Sequence, residues 1–482
     1  MEILVYIAIG LGALLLALIA LVVVRALLFR PHPEKSAEKD EISFDKDRAH
    51  GSLSELIKCR TVSNSDPSLE DGEEFGKLLA LLPELYPEVF SVCEYRELAD
   101  RGLLFRWRGE SPDNPTVLMA HYDVVPVNEN MWEEAPFSGA IKDGFIHGRG
   151  ALDTKATFSS ILFAASKLIA DGFTPKNDIY FAFSGGEEIN GPGASNIVDY
   201  FEREGITPSL VLDEGGAVVE NVFPGVKKPC ALIGIAEKGM LELEFKVKSN
   251  GGHSSAPKPG TPIAILSRAC CKVESKPFKR HLTAPVAYMF DTLARHSTFL
   301  YRLIFSNLWA FGWLLDIICK KTGGDLNAMM RTTVAFTQMS GSSASNVLPP
   351  VATMVTNMRL NPCDTTESAH EYIRRVVNDD RVEVNLLRGM NPSRISRVDT
   401  EGFLRTERAI LSTWEVNIVS PYLMVQCSDS KHWGRISDRV YRFSAMDLSN
   451  EERATIHGNN ERIRLDSLDR CCEFYIRLMK NS

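Results

Sequence analysis

One apolar segment of the chain ends in a histidine and an aspartate that are two residues apart. It runs Thr116-Val-Leu-Met-Ala-His121-Tyr-Asp123 and predicts a buried β-strand. Because side chains alternate between the two faces of a strand, His121 and Asp123 point the same way at its end. An imidazole and a carboxylate at this spacing suit a metal ligand and the partner that fixes its tautomer. A hydrogen-bonded strand end without a metal explains the pair equally well. Other motifs in the chain are needed to distinguish a metal site from such a strand end.

Strand and helix patterns alternate around this segment. Residues 179–183 and 210–212 are typical of buried strands, and residues 158–169 have the apolar spacing of an amphipathic helix. Asp143-Gly144 is a favoured pair for a two-residue hairpin turn. The alternation predicts the α/β class, a sheet with helices on both faces. In such sheets, sites form at the carboxyl ends of the strands.

The pattern changes near Ile233. Residues 240–248 alternate between apolar and polar side chains, as a half-exposed strand does. Further strand patterns follow at residues 334–337, 352–360 and 382–386. A chain of 482 residues is too long for one core, so we expect two domains, the smaller one an α+β insertion. The expected bounds are 42–235 and 391–482 for the main domain and 236–390 for the inserted domain.

The first residues predict a membrane anchor. A run of 22 residues from Ile3 to Val24 carries no charge and is long enough to cross a bilayer as a helix. It lacks the basic start and the small-residue cleavage site of a signal peptide. We therefore expect an uncleaved single-pass anchor over residues 3–29 and a polar linker at 30–41. The basic residues that follow the run are Arg25, Arg30 and Lys35. By the positive-inside rule they predict that the remainder of the chain faces the cytosol.

Composition excludes one class of partner. The net charge is −8 and no basic stripe is present, so no nucleic-acid partner is expected. Ten cysteines occur, among them the neighbours Cys270-Cys271 and Cys471-Cys472. They show neither a CxxC spacing nor a disulfide framework, which indicates free thiols in a reducing compartment.

Four further motifs place carboxylates or an imidazole near predicted strand ends. In chain order they are Gly148-Arg-Gly-Ala-Leu-Asp153-Thr-Lys155, Gly186-Glu187-Glu188, Asp213-Glu214-Gly-Gly and His457-Gly-Asn-Asn-Glu461. Each alone is explained by a solvated turn or a surface charge. Together, two imidazoles and three carboxylates can hold two zinc ions, with one carboxylate bridging them. A carboxylate left uncoordinated can act as a base towards water.

In this order, and together with Gly252-His253-Ser-Ser-Ala-Pro, the motifs resemble those of the M20 metallopeptidase family. Within it, the carboxypeptidase S and N-fatty-acyl-amino-acid synthase/hydrolase branch is most similar, because residues 306–311, 331–335 and 346–350 also match. The resemblance extends from about residue 45 to the C-terminus. It implies a zinc-peptidase-like mixed sheet flanked by helices, a catalytic main domain, and an inserted domain that serves as lid and dimerisation domain.

The resemblance also implies roles for single residues. His121, Asp153, Glu188 and His457 match metal ligands, with Asp153 as the bridge, and the remaining ligand falls at Asp213 or Glu214. Two Zn²⁺ per subunit are implied, with Co²⁺ or Mn²⁺ as substitutes. Glu187 matches the general base and Asp123 the carboxylate that orients His121. His253 matches a histidine that, in dimeric relatives, reaches the active site of a partner, so a homodimer is the implied assembly. Asn346 and Arg359 match residues expected to meet the substrate carboxylate.

The expected function is hydrolysis of an amide bond next to a free carboxylate, in a small peptide or an N-acyl amino acid. Glu187 would take a proton from water and return it to the leaving amine, while His253 steadies the oxyanion. A dipeptidase or N-deacetylase of the same family is the nearer alternative, and a non-catalytic, membrane-tethered binding protein the more distant one. The chain departs from the family pattern before Asp429 and at Asn357, which affects substrate recognition rather than metal binding.

Several other residues lie near these motifs. His147 and His432 are expected to be structural, because the ligand set is already complete. Lys155 is expected to be a surface charge at a helix start or a support for its motif. Residues 303–315 carry no charge but are too short for a second span. A buried lid helix is the first expectation there, and a wall for an acyl chain that includes Trp309 is the alternative.

Overall fold

The computed structural model describes residues 1–33, 37 and 39–482. Lys35, on which part of the predicted orientation rests, and part of the predicted linker lie outside the described residues. The helices are α1 Glu2–Leu28, α2 Lys46–Lys58, α3 Gly72–Leu85, α4 Pro87–Val92, α5 Lys155–Ala170, α6 Gly193–Glu204, α7 Pro262–Ser275, α8 Ala284–Arg295, α9 Phe299–Phe305, α10 Leu308–Thr322, α11 Gly324–Met330, α12 Thr366–Val377, α13 Glu401–Thr413, α14 Asn450–Thr455 and α15 Leu465–Lys480. Short 3₁₀ turns lie at Pro67–Leu69, Glu129–Met131 and Asp429–Arg435.

The strands form one large sheet and three smaller ones. In chain order they are β1 Glu94–Leu98, β2 Gly102–Trp107, β3 Ser111–His121, β4 Ile141–Lys142, β5 Phe145–His147, β6 Asn177–Ser184, β7 Leu210–Val219, β8 Cys230–Glu237, β9 Gly239–Lys248, β10 Gly252–His253, β11 Thr333–Ser340, β12 Val347–Leu348, β13 Val351–Leu360, β14 Glu383–Met390, β15 Val419–Met424, β16 Val440–Leu448 and β17 Arg462–Arg464. The large sheet has eight strands in the order β1-β2-β6-β3-β7-β16-β8-β15. Its middle strands β6, β3, β7 and β16 are mutually parallel, whereas β2 and β8 join them antiparallel. The sheet is therefore mixed, and the carboxyl ends of its middle strands share one edge.

Alternation along β3 explains why helices cover both faces of this sheet. Leu118 and Ala120 belong to a core shared with α5 and α15, whereas Val117 and Met119 face a second core that contains α6. Each buried aliphatic side chain of this kind contributes about 1.5–3 kcal/mol relative to exposure. The predicted α/β sheet flanked by helices is confirmed, as are the strands at 179–183 and 210–212 and the helix at 158–169. The predicted hairpin is also present, with Asp143 and Gly144 at φ 52° and 81° between β4 and β5.

The second large element is an antiparallel sheet in the order β11-β13-β9-β14. The inward-facing residues of β9, among them Leu241, Leu243 and Phe245, pack with Ile265 of α7 and Ile373 of α12. This sheet and its two helices form a two-layer unit within residues 239–390. The exact bounds predicted for the inserted domain stay a prediction.

Helices α8 to α11 do not join that two-layer unit, although they lie between its strands in the sequence. Met289 and Leu293 of α8 pack with Cys230 of β8 and Leu423 of β15, at the edge of the large sheet. The chain therefore crosses back to the large sheet after α7 and returns at β11. Apolar periodicity can indicate which side of a helix is buried, but it does not say which core the helix joins.

Among the described residues, α1 is the single helix that is long and apolar enough to cross a membrane by itself. It has 27 residues, and a stretch of 18 of them has a mean hydropathy of 3.1. Helices α9 and α10 meet the same measure only together, and they are bent by 104°. The prediction of a buried helix near residues 303–315 is wrong for one face of α10. Gly312 and Leu315 are buried, but Trp309 and Trp313 are 56% and 61% exposed. Both sides of the helix carry apolar residues, but within the described residues only one side is buried against the protein.

Candidate metal centre

The predicted site residues come from the carboxyl edge of the large sheet. His121 is the last residue of β3 and pairs with Ser184, the last residue of β6. Glu187 and Glu188 follow β6 in the next turn, and Glu214 lies on the adjacent strand β7. Parallel strands bring their carboxyl ends together, so residues far apart in sequence meet here.

The surroundings of His121 fix its tautomer. Its Nδ1 lies 3.0 Å from the backbone oxygen of Asp123 and 3.4 Å from the carboxylate of the same residue, both of them acceptors. Nδ1 therefore carries a proton, and Nε2 is the nitrogen that faces Asp153 and Glu214 in the site. The predicted orienting role of Asp123 agrees with this geometry, although the shorter contact is made by its backbone oxygen.

Asp123 has a second function that its position in the sequence does not reveal. Its two carboxylate oxygens accept hydrogen bonds from the backbone N–H groups of Glu187 at 3.1 Å and Glu188 at 3.2 Å. The hydroxyl of Ser63 donates to it at 2.6 Å. One fully buried carboxylate thus holds both the histidine and the turn that carries the paired glutamates.

Two sets of ligand atoms share Asp153. Its Oδ1 lies 3.0 Å from Nε2 of His121, which is also 3.6 Å from Oε1 of Glu214. Its Oδ2 lies 3.0 Å from Nε2 of His457, which is also 3.1 Å from Oε2 of Glu188. Each set has one imidazole, one carboxylate that the other set does not share, and one oxygen of Asp153. This is the arrangement expected of a carboxylate that bridges two cations.

The structure distinguishes between Asp213 and Glu214 in orientation. Asp213 is buried and accepts a hydrogen bond from the backbone N–H of Ser430 at 2.9 Å, whereas Glu214 faces His121. Contrary to the prediction, this pair does not end a strand, because β7 continues to Val219. The register of β7 against β16 shifts after Asp213, so Glu214 and Gly215 bulge out of the ladder. Such a bulge re-aims a side chain.

The charges of these groups are strongly perturbed. Burial is the largest influence on Glu187 and Glu214 and raises the pKa of both carboxyls well above the ordinary value. Burial opposes ionisation of Asp153 too, but hydrogen bonds from His121 and His457 hold its pKa below the ordinary value. Hydrogen bonds to Asp153 and Glu188 raise the pKa of His457 to about 10. The site therefore brings several carboxyl groups together, and the raised pKa values of Glu187, Glu214 and His457 mean that these groups hold their protons more tightly than usual.

This donor set fits two divalent cations. Among the described residues, the two imidazoles are the only cationic groups within ion-pair distance of Asp153, Glu188 and Glu214. Neutral imidazole and carboxylate are ligands that Zn²⁺ accepts in catalytic sites. Within the part of the chain that the structure describes, two groups of ligand atoms lie within 4.8 Å of one another, His121–Asp153–Glu188 and His121–Glu187–Glu214, and both contain His121. Bound cations would replace the protons that the buried carboxylates otherwise require.

The loop that carries Asp153 is held by residues that the sequence interpretation overlooked. Glu461 is fully buried and accepts hydrogen bonds from the guanidinium of Arg149 at 2.6 Å and from the backbone N–H of Leu152 at 2.7 Å. It also accepts from the N–H groups of Gly150 at 3.1 Å and Asp153 at 3.2 Å. Because Glu461 follows His457 closely in the chain, it fastens the loops of both ligands together. Its place in the motif was visible, but its partners were not.

Close packing explains the glycine at position 148. Its φ of 150° is rare for other residues, and a Cβ there would lie 2.4 Å from Cγ2 of Ile57 and 2.9 Å from the backbone oxygen of Pro136. His457 itself has a φ of 59°, in the left-handed region. Conformations of this kind persist where the surroundings over-determine them, as at binding sites.

The remaining predicted residues lie apart from this cluster or at its rim. Arg359 of β13 donates to Sγ of Cys427 at 3.2 Å, two residues from Asp429. Asp429 is buried, accepts from the hydroxyl of Ser184, and has its pKa raised to about 6 by burial. His253 and Asn346 are neighbours on an exposed part of the chain, where the N–H of Ser254 donates to the backbone oxygen of Asn346 at 3.0 Å. Among the described residues, neither forms a hydrogen bond or an ion pair with a metal-ligand candidate.

Three residues set aside by the sequence interpretation can now be described. His147 and His432 belong to neither ligand cluster, and burial lowers the pKa of His432 to about 4. The expectation that Lys155 is a surface charge is wrong, because its side chain is fully buried. Its ammonium donates to the backbone oxygens of Leu56 at 2.9 Å and Cys59 at 2.6 Å, so the alternative of motif support is correct. All ten cysteines are free.

Comparison with known proteins agrees with this geometry. Residues 117–481 match the profile described as peptidase family M20/M25/M40. "Probable carboxypeptidase S-like 2" of Dictyostelium discoideum is 33% identical over 438 residues, which cover 89% of this chain and 84% of that protein. "N-fatty-acyl-amino acid synthase/hydrolase PM20D1" of Xenopus tropicalis is 34% identical over 438 residues, which cover 89% of this chain and 85% of that protein. The predicted resemblance and its branch are confirmed.

Solved structures share the fold. The M20 family metallo-carboxypeptidase Sso-CP2 of Sulfolobus solfataricus superposes with a TM-score of 0.68 at 18% identity, covering 90% of this chain and 98% of that one. Human carnosine dipeptidase 1 superposes with a TM-score of 0.64 at 15% identity, covering 90% and 96%.

Proposed function

Because the chain belongs to peptidase family M20/M25/M40, and is thus a metallopeptidase or amidohydrolase, we propose that it is a dizinc hydrolase of carboxylate-bearing amides. Its substrates would be small peptides cleaved at their C-terminal residue, or N-acyl amino acids. The observation that carries the proposal is the pair of ligand sets that share Asp153, with His121 on one oxygen and His457 on the other. His121 and Glu214 would hold one ion, and His457 and Glu188 the other.

The side chains present support general base catalysis by Glu187. When bound, the two ions supply Lewis-acid polarisation of the scissile carbonyl and make water more acidic. Burial raises the pKa of Glu187, so its carboxylate is basic enough to take a proton from the attacking water. It then returns that proton to the leaving amine. Asp123 fixes the backbone of Glu187 and keeps the base in place during both transfers.

The variant Glu187→Gln tests this role. It keeps the size and the backbone hydrogen bond of the residue but removes the base, so kcat should fall by roughly 10²–10⁴-fold. Both zinc ions should stay bound, because the two ligand sets do not need Glu187. Glu110→Gln, on the exposed surface, is the matched control and should keep full activity. Surviving activity in Glu187→Gln would remove Glu187 as the base.

Recognition of the substrate carboxylate is assigned to Arg359, with Asn346 as a second group. The guanidinium of Arg359 lies beside Cys427, on the loop that also carries Asp429 and Ser430 against the site. Arg359→Met should raise KM for substrates with a free carboxylate by roughly 10–100-fold, which corresponds to about 1.5–3 kcal/mol for a charged hydrogen bond. Amidated substrates should already be poor for the wild type and change little. Equal loss on both substrate types would contradict the assignment.

Substrate class is the finer part of the proposal. The relatives are named for carboxypeptidase S and for N-fatty-acyl-amino acid synthesis and hydrolysis, which supports both peptide and acyl amino acid substrates. A panel of C-terminally free peptides, N-acyl amino acids of increasing chain length, N-acetyl amino acids and dipeptides separates the possibilities. Preference for dipeptides or N-acetyl amino acids would favour the alternative functions. Zinc binding without turnover on any of them would favour a binding protein.

Two further parts concern assembly and location. His253 is proposed to reach the active site of a second subunit and stabilise the oxyanion, which accounts for its exposed position in one chain. Mixing inactive Glu187→Gln with inactive His253→Ala should then restore part of the activity.

Helix α1 is proposed as a single-pass membrane anchor with the remainder of the chain in the cytosol. Flotation of the full chain with lipid vesicles tests the anchor, and protease accessibility in sealed vesicles tests the orientation.

A further inference from the structure

A group of large apolar side chains is exposed beside the end of α1. It consists of Leu300 on α9 and of Trp309, Trp313, Leu314, Ile317 and Ile318 on α10, and we refer to it as the α9–α10 face. Soluble proteins rarely leave so many neighbouring apolar groups in water, and faces of this kind mark an interaction site.

The spacing along α10 shows that this exposure belongs to one side of the helix. Trp309, Trp313 and Ile317 follow one another at intervals of four residues and so share a face. Leu315 and Cys319 lie on the other side and join the core beneath. A helix that is apolar on both sides is normally covered on both, by protein or by lipid.

Helix α1 is bonded to the corner between α9 and α10. The guanidinium of Arg25 donates twice to the backbone oxygen of Ser306, at 3.2 and 3.0 Å. The buried amide of Asn307 donates to the backbone oxygen of Val22 at 3.0 Å. Val22 and Ala26 are the buried residues of α1. The corner therefore lies level with the last two turns of the proposed anchor.

This attachment fixes the depth of the α9–α10 face. A helix of 27 residues is about 40 Å long at 1.5 Å per residue, longer than the hydrocarbon core of about 30 Å. The last turns of α1 therefore lie near the boundary between hydrocarbon and headgroups. Tryptophan is enriched at that boundary, where Trp309 and Trp313 would stand. The exposed Lys321 follows at the end of α10, where a headgroup phosphate could meet it.

The face also borders a cavity of about 740 Å³ whose walls are mostly apolar. Leu314 and Ile318 belong both to the face and to the cavity lining, while Phe223 and Phe311 lie further along it. Trp309 is not part of this lining, so its role as a wall for an acyl chain stays a prediction. An apolar recess that is rimmed by exposed apolar residues suits hydrocarbon chains better than the surface of a second folded chain.

We infer that α9 and α10 form a membrane-seated pair that lies in the lipid interface beside α1. This inference rests on the proposed membrane anchor. In it, the bent pair does not cross the bilayer but dips its exposed face into one leaflet. The enzyme is then held against the membrane at two points and cannot swing freely on its linker. The partner of the face is therefore the acyl region of phospholipids.

Tryptophan fluorescence of the full chain tests the inference. The chain is reconstituted into phosphatidylcholine vesicles whose acyl chains are brominated near the headgroup, because bromine quenches tryptophan on contact. The chain has six tryptophans and α1 has none, so insertion of α1 alone brings no tryptophan into the lipid. We expect the wild type to lose about a third of its emission, the share of two of the six. The variant W309F/W313F should lose almost none, and the control W132F should lose at least as much as the wild type.

The outcomes separate the inference from the anchor. Failure of the full chain to float with the vesicles overturns both. Flotation without quenching, or quenching that W309F/W313F leaves unchanged, would show that the α9–α10 face does not lie in the lipid. Either result would still be consistent with α1 as a membrane anchor. A soluble-phase dimer that W309S/W313S dissociates would show that a second copy covers the face, which also overturns the inference. Circular dichroism spectra equal to the wild type ensure that each variant is folded.

Discussion

Replacement of Glu461 should damage both the stability of the protein and its metal centre, although Glu461 is not itself a proposed ligand. The carboxylate is fully buried and accepts from Arg149 at 2.6 Å and from the N–H groups of Leu152, Gly150 and Asp153 at 2.7, 3.1 and 3.2 Å. In Glu461→Ala the buried guanidinium loses its counter-charge, which costs about 3–5 kcal/mol. Each unpaired buried N–H adds about 1–3 kcal/mol before water enters to relieve it. The sum is comparable with the whole stability of a typical domain.

Glu461→Gln should be milder, because it keeps an acceptor oxygen and the shape of the side chain, and we expect a loss of about 2–4 kcal/mol. Equilibrium urea unfolding measures both variants. Competition with a chelator measures zinc affinity, which should fall by about 10–100-fold as the backbone of Asp153 loses its support. Asp399→Ala breaks an exposed ion pair with Arg397 and should leave the urea midpoint close to that of the wild type. Unfolding of Glu461→Ala at the same urea concentration as this control would show that the buried carboxylate does not stabilise the fold.

Asp123→Ala should weaken zinc binding by about 10–100-fold in a chelator competition. Ser63→Ala removes one hydrogen bond to Asp123 and should have an intermediate effect. Equal zinc affinity in the wild type and both variants would contradict the supporting role of Asp123. Burial, followed by repulsion from a nearby arginine, lowers the pKa of Lys238 to about 7, against 10.5 when unfolded. Between these values the unfolded state binds more protons, so the free energy of unfolding should rise with pH, and Lys238→Met should flatten that rise in urea titrations at pH 7 and 9. Gly148→Ala should cost about 1–3 kcal/mol more than Gly144→Ala in the same assay, because the added Cβ clashes at the first position and meets open space at the second.

The site residues whose positions are predictable from the sequence share one property. They lie at or just after the end of an apolar strand pattern. The apolar run of β3 ends at His121, and that of β6 ends just before Glu187, so their place at the sheet edge follows from strand geometry. Strand alternation also predicts which face each core residue takes, and β3 and β9 follow it. These features depend on neighbours in the chain, which the sequence displays directly.

Other parts depend on partners that are distant in the chain. Lys155 reads as a helix-start charge, yet its ammonium is bonded to backbone oxygens about a hundred residues earlier. The choice between Asp213 and Glu214 rests on a bulge against β16, which no local pattern marks. Buried groups of this kind are specified by tertiary contacts that must satisfy each donor and acceptor.

The helices between α7 and β11 show a third limit. Their apolar residues predict burial, but the pattern does not identify the covering surface. Helix α8 joins the core of the large sheet, whereas Trp309 and Trp313 on the outer side of α10 are left largely exposed. Hydrophobic periodicity therefore distinguishes faces within a helix, and only the folded chain shows what each face contacts.

A dinuclear cation centre assembled around Asp153 is tested by the number of zinc ions that each chain binds. After zinc loading and removal of free metal, elemental analysis of the full chain should find two ions per chain. His457→Ala should keep one, because the set of His121, Asp153 and Glu214 is left intact. Asp153→Ala should keep fewer than one, because both sets lose a ligand. One ion or none in the wild type, or two in Asp153→Ala, would show that Asp153 does not hold two ions together.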